Sequence, residues 1–402
     1  MDVKAEVASV MDDVVGWRRH LHENPEVGFD LKGTLAYVSA QLDAMGVPHE
    51  VNDEHSYVIG WIRGEAAAGD AGGEPAAVRT VALRADMDAL PVQEETGLEF
   101  SSKVPGRMHA CGHDAHTAML LGVAKVLNAH KGELRGTVKL VFQPAEELGT
   151  GSKVLCEDGV MSDVDEIAGL HVGNISEEAK PGDLVFSLGP MMATMDKFTL
   201  KVIGHGAHGS TPQASVDPIT IAAYIVSGLQ EVISREKDPR NPAVVSVGRI
   251  RGGSAFNIIP DTVEMEGTAR TLTNEDRDFV ERRIGEVAEG IAKAYRADIE
   301  YKFFRQPPPV VNDRAVAERL VAVSRELYPE DTLIMTRPVM GGEDFAWYLQ
   351  EKPGAFFLLS NPLPVEGRCW PQHSAHFALD EGQFHKGIEV MVAFALKELG
   401  AA

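Results

Sequence analysis

The chain has 402 residues, more than one ordinary hydrophobic core organises, so two domains are expected. Apolar residues make up 44% and charged residues 24%, the balance of a globular protein, and no apolar run approaches the roughly 18 residues of a membrane span. The net charge of −22 repels phosphate backbones and argues against a nucleic-acid partner.

Three cysteines (Cys111, Cys156, Cys369) are too few for a disulfide framework, which points to a reducing cytoplasm. The opening residues carry acids and lack a basic stretch followed by an apolar core, so no signal peptide is expected. Val7, Val10, Met11, Val14, Val15, Arg18 and Leu21 recur at helical spacing until "NPEVGF" breaks the pattern. Within this helix "RRHLH" (18–22) reads as structural or salt-bridging rather than as a pair of metal ligands. Strands are predicted at "YVIGWIRG" (57–64) and "VRTVALRAD" (78–86), separated by an Ala/Gly run (65–77) that reads as a flexible surface loop.

Three apolar runs then share a feature. One ends in Asp86 and Asp88, the next (137–147) in Glu146 and Glu147, the third (164–172) near His171. Continuous apolar runs suit strands buried on both faces, and in open α/β sheets sites form beyond the carboxyl ends of the strands. Between the first two lies "MHACGHDAH" (108–116), which crowds His109, Cys111, His113, Asp114 and His116 together ahead of an amphipathic helix (Met119, Leu120, Val123, Val126, Leu127). Asp114 is a plausible N-cap of that helix. These groups converge on one sheet edge, which makes a metal centre the leading reading.

The middle of the chain changes rhythm. Strands at 197–204, 243–250, 261–271 and 298–304 alternate with helices at 217–235 and 274–296. That order is βαββαβ, the pattern of a ferredoxin-like domain, and it reads as an insertion because "AFFLLS" (355–360) returns to buried-strand character. The expected parse is a first part of a larger α/β domain at 1–187, an inserted domain at 188–302 and the second part of the larger domain at 303–402.

Two divalent ions about 3.5–4 Å apart can hold a water, lower its pKa and polarise a carbonyl. Cys111 can bridge them as a thiolate, because metal contact deprotonates a thiol. His113, Glu147, His171 and one further His are candidate terminal ligands. Neighbouring side chains are expected to point apart, so of Glu146 and Glu147 one binds metal while the other serves as base. A nucleophilic Cys111 would need a His base and an oxyanion hole, and it leaves the carboxylates unexplained. A non-catalytic binding module needs neither a free acid beside the ligands nor a second domain.

Seven segments occur in order: "RADMDALPVQEETG" (84–97), "MHACGHDAH" (108–116), "FQPAEELGTG" (142–151), "GLHV" (169–172), "HGAHGSTP" (205–212), "NIIPDTVEMEGTART" (257–271) and "MGGEDFAWYL" (340–349). Together they resemble the aminoacylase/carboxypeptidase family of di-metal hydrolases, in particular its N-acyl-amino-acid amidohydrolase branch, which includes hippurate hydrolase and the indole-acetyl-amino-acid hydrolases. The resemblance implies an α/β zinc-peptidase-like catalytic domain with an inserted ferredoxin-like α+β domain that acts as lid and dimerises. It implies Cys111 as bridging ligand, His113, Glu147 and His171 as terminal ligands, and Glu146 as general base. Asp88 matches the catalytic aspartate that orients the site, with Asp86 the weaker candidate. His373 in "HSAHFALDEG" (373–382) matches the last ligand and His376 is its near neighbour; Ala375 and Ala378 depart from the family's usual proline and aspartate there.

In the lid, His208 matches a histidine that reaches the partner subunit's site and steadies the oxyanion, while Asn257 and Arg270 match groups near the substrate α-carboxylate. "GGED" (341–344) is expected to shape the site through its backbone, with Glu343 and Asp344 in support. The implied protein is a cytoplasmic homodimer carrying two divalent ions per subunit, zinc or manganese before nickel or cobalt. It hydrolyses a small N-acyl amino acid, with no nucleic-acid or membrane partner. The alternative is a dipeptidase or carboxypeptidase with the same metals.

Overall fold

The computed structural model describes residues 1–66, 79–176 and 178–400; the stretch 67–77 of the Ala/Gly run lies outside the described residues. The chain divides into two compact units, each with its own hydrophobic core. One comprises Met1–Met191, Val311–Val339 and Asp344–Ala402, the other Met192–Val310 and Met340–Glu343.

In the first unit helix α1 (Val3–Glu23) starts where the Asp2 carboxylate accepts the Ala5 N–H. It buries Val7, Val10, Val14, Trp17 and Leu21 as one stripe. Burying each large aliphatic of such a stripe contributes about 1.5–3 kcal/mol. Helix α2 (Lys32–Ala44) follows, then strands β1 (His49–Asn52), β2 (Tyr57–Arg63) and β3 (Thr80–Asp86). Helix α3 (His113–Ala129) leads to β4 (Thr137–Gln143) and β5 (Glu166–Gly173).

These strands join an eight-stranded sheet in the order β1-β2-β4-β3-β5, then Gly354–Ser360, Leu184–Phe186 and Leu333–Met335. β4, β3, β5 and Gly354–Ser360 are parallel neighbours, and every residue of β3, β5 and Gly354–Ser360 is buried. The continuous apolar runs are therefore the centre of a parallel sheet, with their carboxyl ends at one edge. Helix α3 packs between α1 and the helix Phe384–Leu399. Their approach is close at Gly122, where an added Cβ would lie 2.8 Å from Val14 and 3.0 Å from Ile388.

The second unit holds a four-stranded antiparallel sheet in the order Ala243–Gly252, Thr262–Thr271, Asp196–Ile203, Asp298–Phe304. Helices Pro218–Glu231 and Asn274–Ala294 pack on it, so the chain order is the expected βαββαβ. Among the described residues no helix is long and apolar enough to cross a membrane.

"RRHLH" is a salt-bridging segment. Arg18 Nε lies 2.9 Å and His22 Nδ1 2.7 Å from the same Asp114 oxygen, and His22 Nε2 lies 3.3 Å from Glu94. Asp114 thus does not cap α3, contrary to the N-cap role the sequence suggests. Gly112 holds the N-cap position in the left-handed region, and the Asp114 carboxylate turns towards α1 instead. Burial and Arg18 oppose a charge on His22, but Asp114 and Glu94 outweigh them and raise its pKa. A raised folded pKa contributes stability below the unfolded value of about 6.5, and that contribution fades as pH climbs through the folded value. His22→Gln should destabilise the protein by about 3–5 kcal/mol at pH 6. Urea unfolding at several pH values should show the gap narrowing as pH rises; a gap constant with pH would remove the charge from this explanation.

Candidate metal centre

The carboxyl edge of the parallel sheet gathers the chemistry. β3 ends in Asp86, and the chain continues through Asp88 to the buried Cys111. Gly112 then takes a φ of 96° so that the backbone can turn into α3 at His113; a Cβ there would sit 2.6 Å from Val172. Beyond β4, Ala145 enters the left-handed region and starts a 3₁₀ turn of Glu146–Leu148. The Asp88 carboxylate receives the N–H groups of Glu146 (3.0 Å) and Glu147 (3.2 Å), so it fixes the turn that presents both acids.

Hydrogen bonds to carbonyls set the histidine tautomers, because a carbonyl only accepts. His113 donates from Nδ1 to the Asp88 carbonyl at 2.9 Å, and His171 donates from Nδ1 to the Val172 carbonyl at 2.7 Å. Both therefore offer Nε2 as the free nitrogen. His113 Nε2 is buried without a hydrogen-bond partner, and His171 Nε2 lies 3.3 Å from Cys111 Sγ. His116 differs. Its Nε2 accepts the Val172 N–H at 2.9 Å and its Nδ1 donates to Asp86 at 2.6 Å, so both nitrogens are committed.

Two groups of converging donor atoms share Cys111: Cys111 with His113 and His171, and Cys111 with Glu147 and His373. His373 Nε2 lies 3.4 Å from Glu147. His376 instead stacks on Trp370 and faces Glu95 at 3.8 Å. Both acids of the pair approach His113 Nε2, Glu146 at 3.8 Å and Glu147 at 3.9 Å. This corrects the expectation that they point apart, which holds for an extended strand and fails in a 3₁₀ turn. They separate by their other contacts: Glu147 meets His373, whereas Glu146 takes the Asp344 N–H at 3.3 Å.

The electrostatics fit a cation. Burial opposes a charge on His113, yet Asp86, Asp88 and Glu147 raise its pKa to about 10. Burial, then Glu147, Glu146 and Asp86, push the Cys111 thiol far up. Burial and its histidine neighbours lower His171. His113 and Cys111 hold their protons against the surrounding carboxylates, a negative charge that divalent cations would neutralise in the protons' place, while His171 is left neutral. The unpartnered buried atoms His113 Nε2 and Glu147 Oε1 are ligand atoms such ions would use.

Of the remaining expected residues, His208, Asn257, Arg270 and Glu343 lie in the second unit. His208 is exposed and pairs across a two-stranded ladder with Ile258, beside the exposed Asn257, whose carbonyl takes the Gly209 N–H. Arg270 is half-buried on Thr262–Thr271, with Nη1 directed at Thr268, the Ala269 carbonyl and the Asp196 carbonyl. Glu343 is buried and belongs to that unit, Asp344 to the first. Sequence reasoning passed over Arg84, which is buried on β3 between Asp86 and Asp344. An arginine inside an otherwise apolar strand was the available signal.

The model of peptidase family M20/M25/M40 matches residues 82–397. The chain belongs to this family. It is similar to the IAA-amino acid hydrolase ILR1-like 4 of Arabidopsis thaliana, at 39% identity over 96% of this chain and 86% of the relative. Its identity to thermostable carboxypeptidase 2 of Saccharolobus solfataricus is 38% over 98% of both chains. Among solved structures, the YXEP protein of Bacillus subtilis, described as a dinuclear metal-binding peptidase, superposes with a TM-score of 0.82. It shares 34% identity over 98% of this chain and 99% of that one. As an M20 hydrolase the protein acts on amide bonds, and the two donor groups sharing Cys111 are candidate sites for a metal pair.

Proposed function

We propose that the protein hydrolyses N-acyl amino acids to a carboxylic acid and a free amino acid. The observation that carries the reading is the pair of donor groups joined through Cys111, with the separate carboxylate of Glu146 beside them. Cys111, His113 and His171 would hold one ion and Cys111, Glu147 and His373 the other, with zinc or manganese suited to the thiolate, imidazole and carboxylate donors, and nickel or cobalt next. Bound there, the ions supply a water of lowered pKa and polarise the scissile carbonyl.

Glu146 takes the proton of the attacking water on a carboxylate oxygen and hands it to the leaving amine nitrogen. Asp88 holds Glu146 and Glu147 in place through their backbone N–H groups. His208 Nδ1 accepts the Ser210 N–H at 3.1 Å, so the neutral ring carries its proton on Nε2 and can donate it to an oxyanion. Asn257 and Arg270 receive the α-carboxylate, for which a guanidinium offers a two-pronged fit. The second unit (Met192–Val310 with Met340–Glu343), close to the expected 188–302, serves as the lid, and the first unit supplies the catalytic parts. We place the protein in the cytoplasm as a lid-to-lid homodimer in which His208 serves the partner subunit's site.

The relative named as an IAA-amino acid hydrolase supports an acyl amino acid substrate, and the one named as a carboxypeptidase supports a peptide. Hydrolysis of N-acetyl, N-benzoyl, indole-acetyl and long-chain N-acyl amino acids, with dipeptides alongside, decides between them. At least one acyl amino acid should exceed every dipeptide in kcat/KM by about tenfold or more, which is about 1.4 kcal/mol of transition-state preference. The reverse order replaces this reading with the peptidase.

A further inference from the structure

Arg84 is 1% exposed, and three parts of its guanidinium are engaged at once. Nη1 donates to Asp86 at 2.7 Å, Nη2 to Asp344 at 3.0 Å and Nε to Gln143 at 2.8 Å. Asp344 lies 260 residues away in the chain and is held by more than this arginine. Its carboxylate takes both the Gln143 amide (2.8 and 2.9 Å) and the Ser152 N–H (3.0 Å), while its carbonyl takes the Ser152 hydroxyl (2.6 Å). Asp344 is therefore pinned through side chain and backbone, and its own N–H meets Glu146. On the other side Asp86 receives His116 Nδ1, and His116 Nε2 receives the Val172 N–H, the residue after His171.

A continuous buried chain of hydrogen bonds thus runs from the backbone next to one candidate ligand, through His116, Asp86, Arg84 and Asp344, to the candidate base. Buried carboxylate–arginine–carboxylate sets contribute little net stability, because desolvation offsets the attraction. Their value is directional. A planar guanidinium fixes the mutual angle of its partners in a way an apolar side chain or a lysine cannot. We infer that Arg84 is a positioning residue for hydrolysis: by locking Asp344 against Asp86 it sets the direction from which the Asp344 N–H holds the Glu146 carboxylate. This rests on the reading of Glu146 as the base.

The test is Arg84→Lys, in the full-length metal-loaded protein and again in a Glu146→Gln background, with metal content and melting temperature measured on each variant. Alone, Arg84→Lys should lower kcat by about 10–100-fold with KM and metal content unchanged, the usual scale for a supporting partner. In the Glu146→Gln background it should lower the residual rate no further, because the residue acts through that carboxylate. An equal loss in both backgrounds, a loss of metal or a wild-type kcat would overturn the proposal. Asp344→Asn, which keeps the backbone N–H and the side-chain shape, covers the case in which Arg84→Lys does not fold. It should show the same kcat-only loss that vanishes without Glu146, and a wild-type rate would equally overturn it. A near-normal rate for Glu146→Gln by itself would instead unseat the base.

Discussion

Glu146→Gln should retain both metal ions and lose turnover by about 10²–10⁴-fold, the contribution expected of a positioned general base. The amide keeps the size of the side chain and can still meet the Asp344 N–H through its oxygen, so the local structure survives. What it loses is a site of suitable basicity for the proton of water. Glu147→Gln should behave differently, because Glu147 converges with Cys111 and His373 and its loss weakens metal retention. Elemental analysis paired with steady-state rates separates the two. If Glu146→Gln loses metal, or hydrolyses at a near-normal rate, the two acids have been assigned the wrong way round.

Cys111→Ser should lower metal occupancy and activity together. Cys111 is common to both donor groups, so one substitution weakens both ions, whereas a change at His171 or His373 touches one group only. A serine hydroxyl keeps the shape but not the charge of a thiolate, and outside a strong metal site it does not ionise. Activity at or below about 1% of wild type is expected, by analogy with the 10²-fold scale of an altered metal environment. In the wild type a chelator should abolish activity and added divalent metal restore it. Activity that survives chelation, with an acyl group covalently attached to Cys111, would make the thiol a nucleophile.

Much of this site was legible in the sequence because parallel central strands are apolar throughout, and their ends are marked where polar residues begin. Asp86, Glu146, Glu147 and His171 were placed at a common edge on that ground alone, and the parallel registry of β3 with β4 and β5 places them there. The second unit's βαββαβ order was equally plain, since its strands follow a period of two and its helices do not.

What stayed hidden depends on geometry that periodicity does not carry. The turn at Glu146–Leu148 brings two adjacent acids to one side, and nothing in "AEE" distinguishes that turn from the end of a strand. The tautomers of His113, His116 and His171 follow from where particular backbone groups fall. Asp114 reads as a cap until the positive φ of Gly112 and the nearness of Arg18 and His22 are known. The contact of Arg84 with Asp344 joins distant parts of the chain and needs the completed sheet.

Anomalous diffraction from crystals of the zinc- or manganese-loaded protein, recorded at the absorption edge of the added metal, is the most direct test of the metal pair. Two peaks per chain are expected, about 3.5–4 Å apart with Cys111 Sγ touching both. His113 and His171 should flank one peak, Glu147 and His373 the other, with Glu146 bound to neither. A single peak, or a pair bridged by another residue with Cys111 outside it, would contradict the di-metal centre described above.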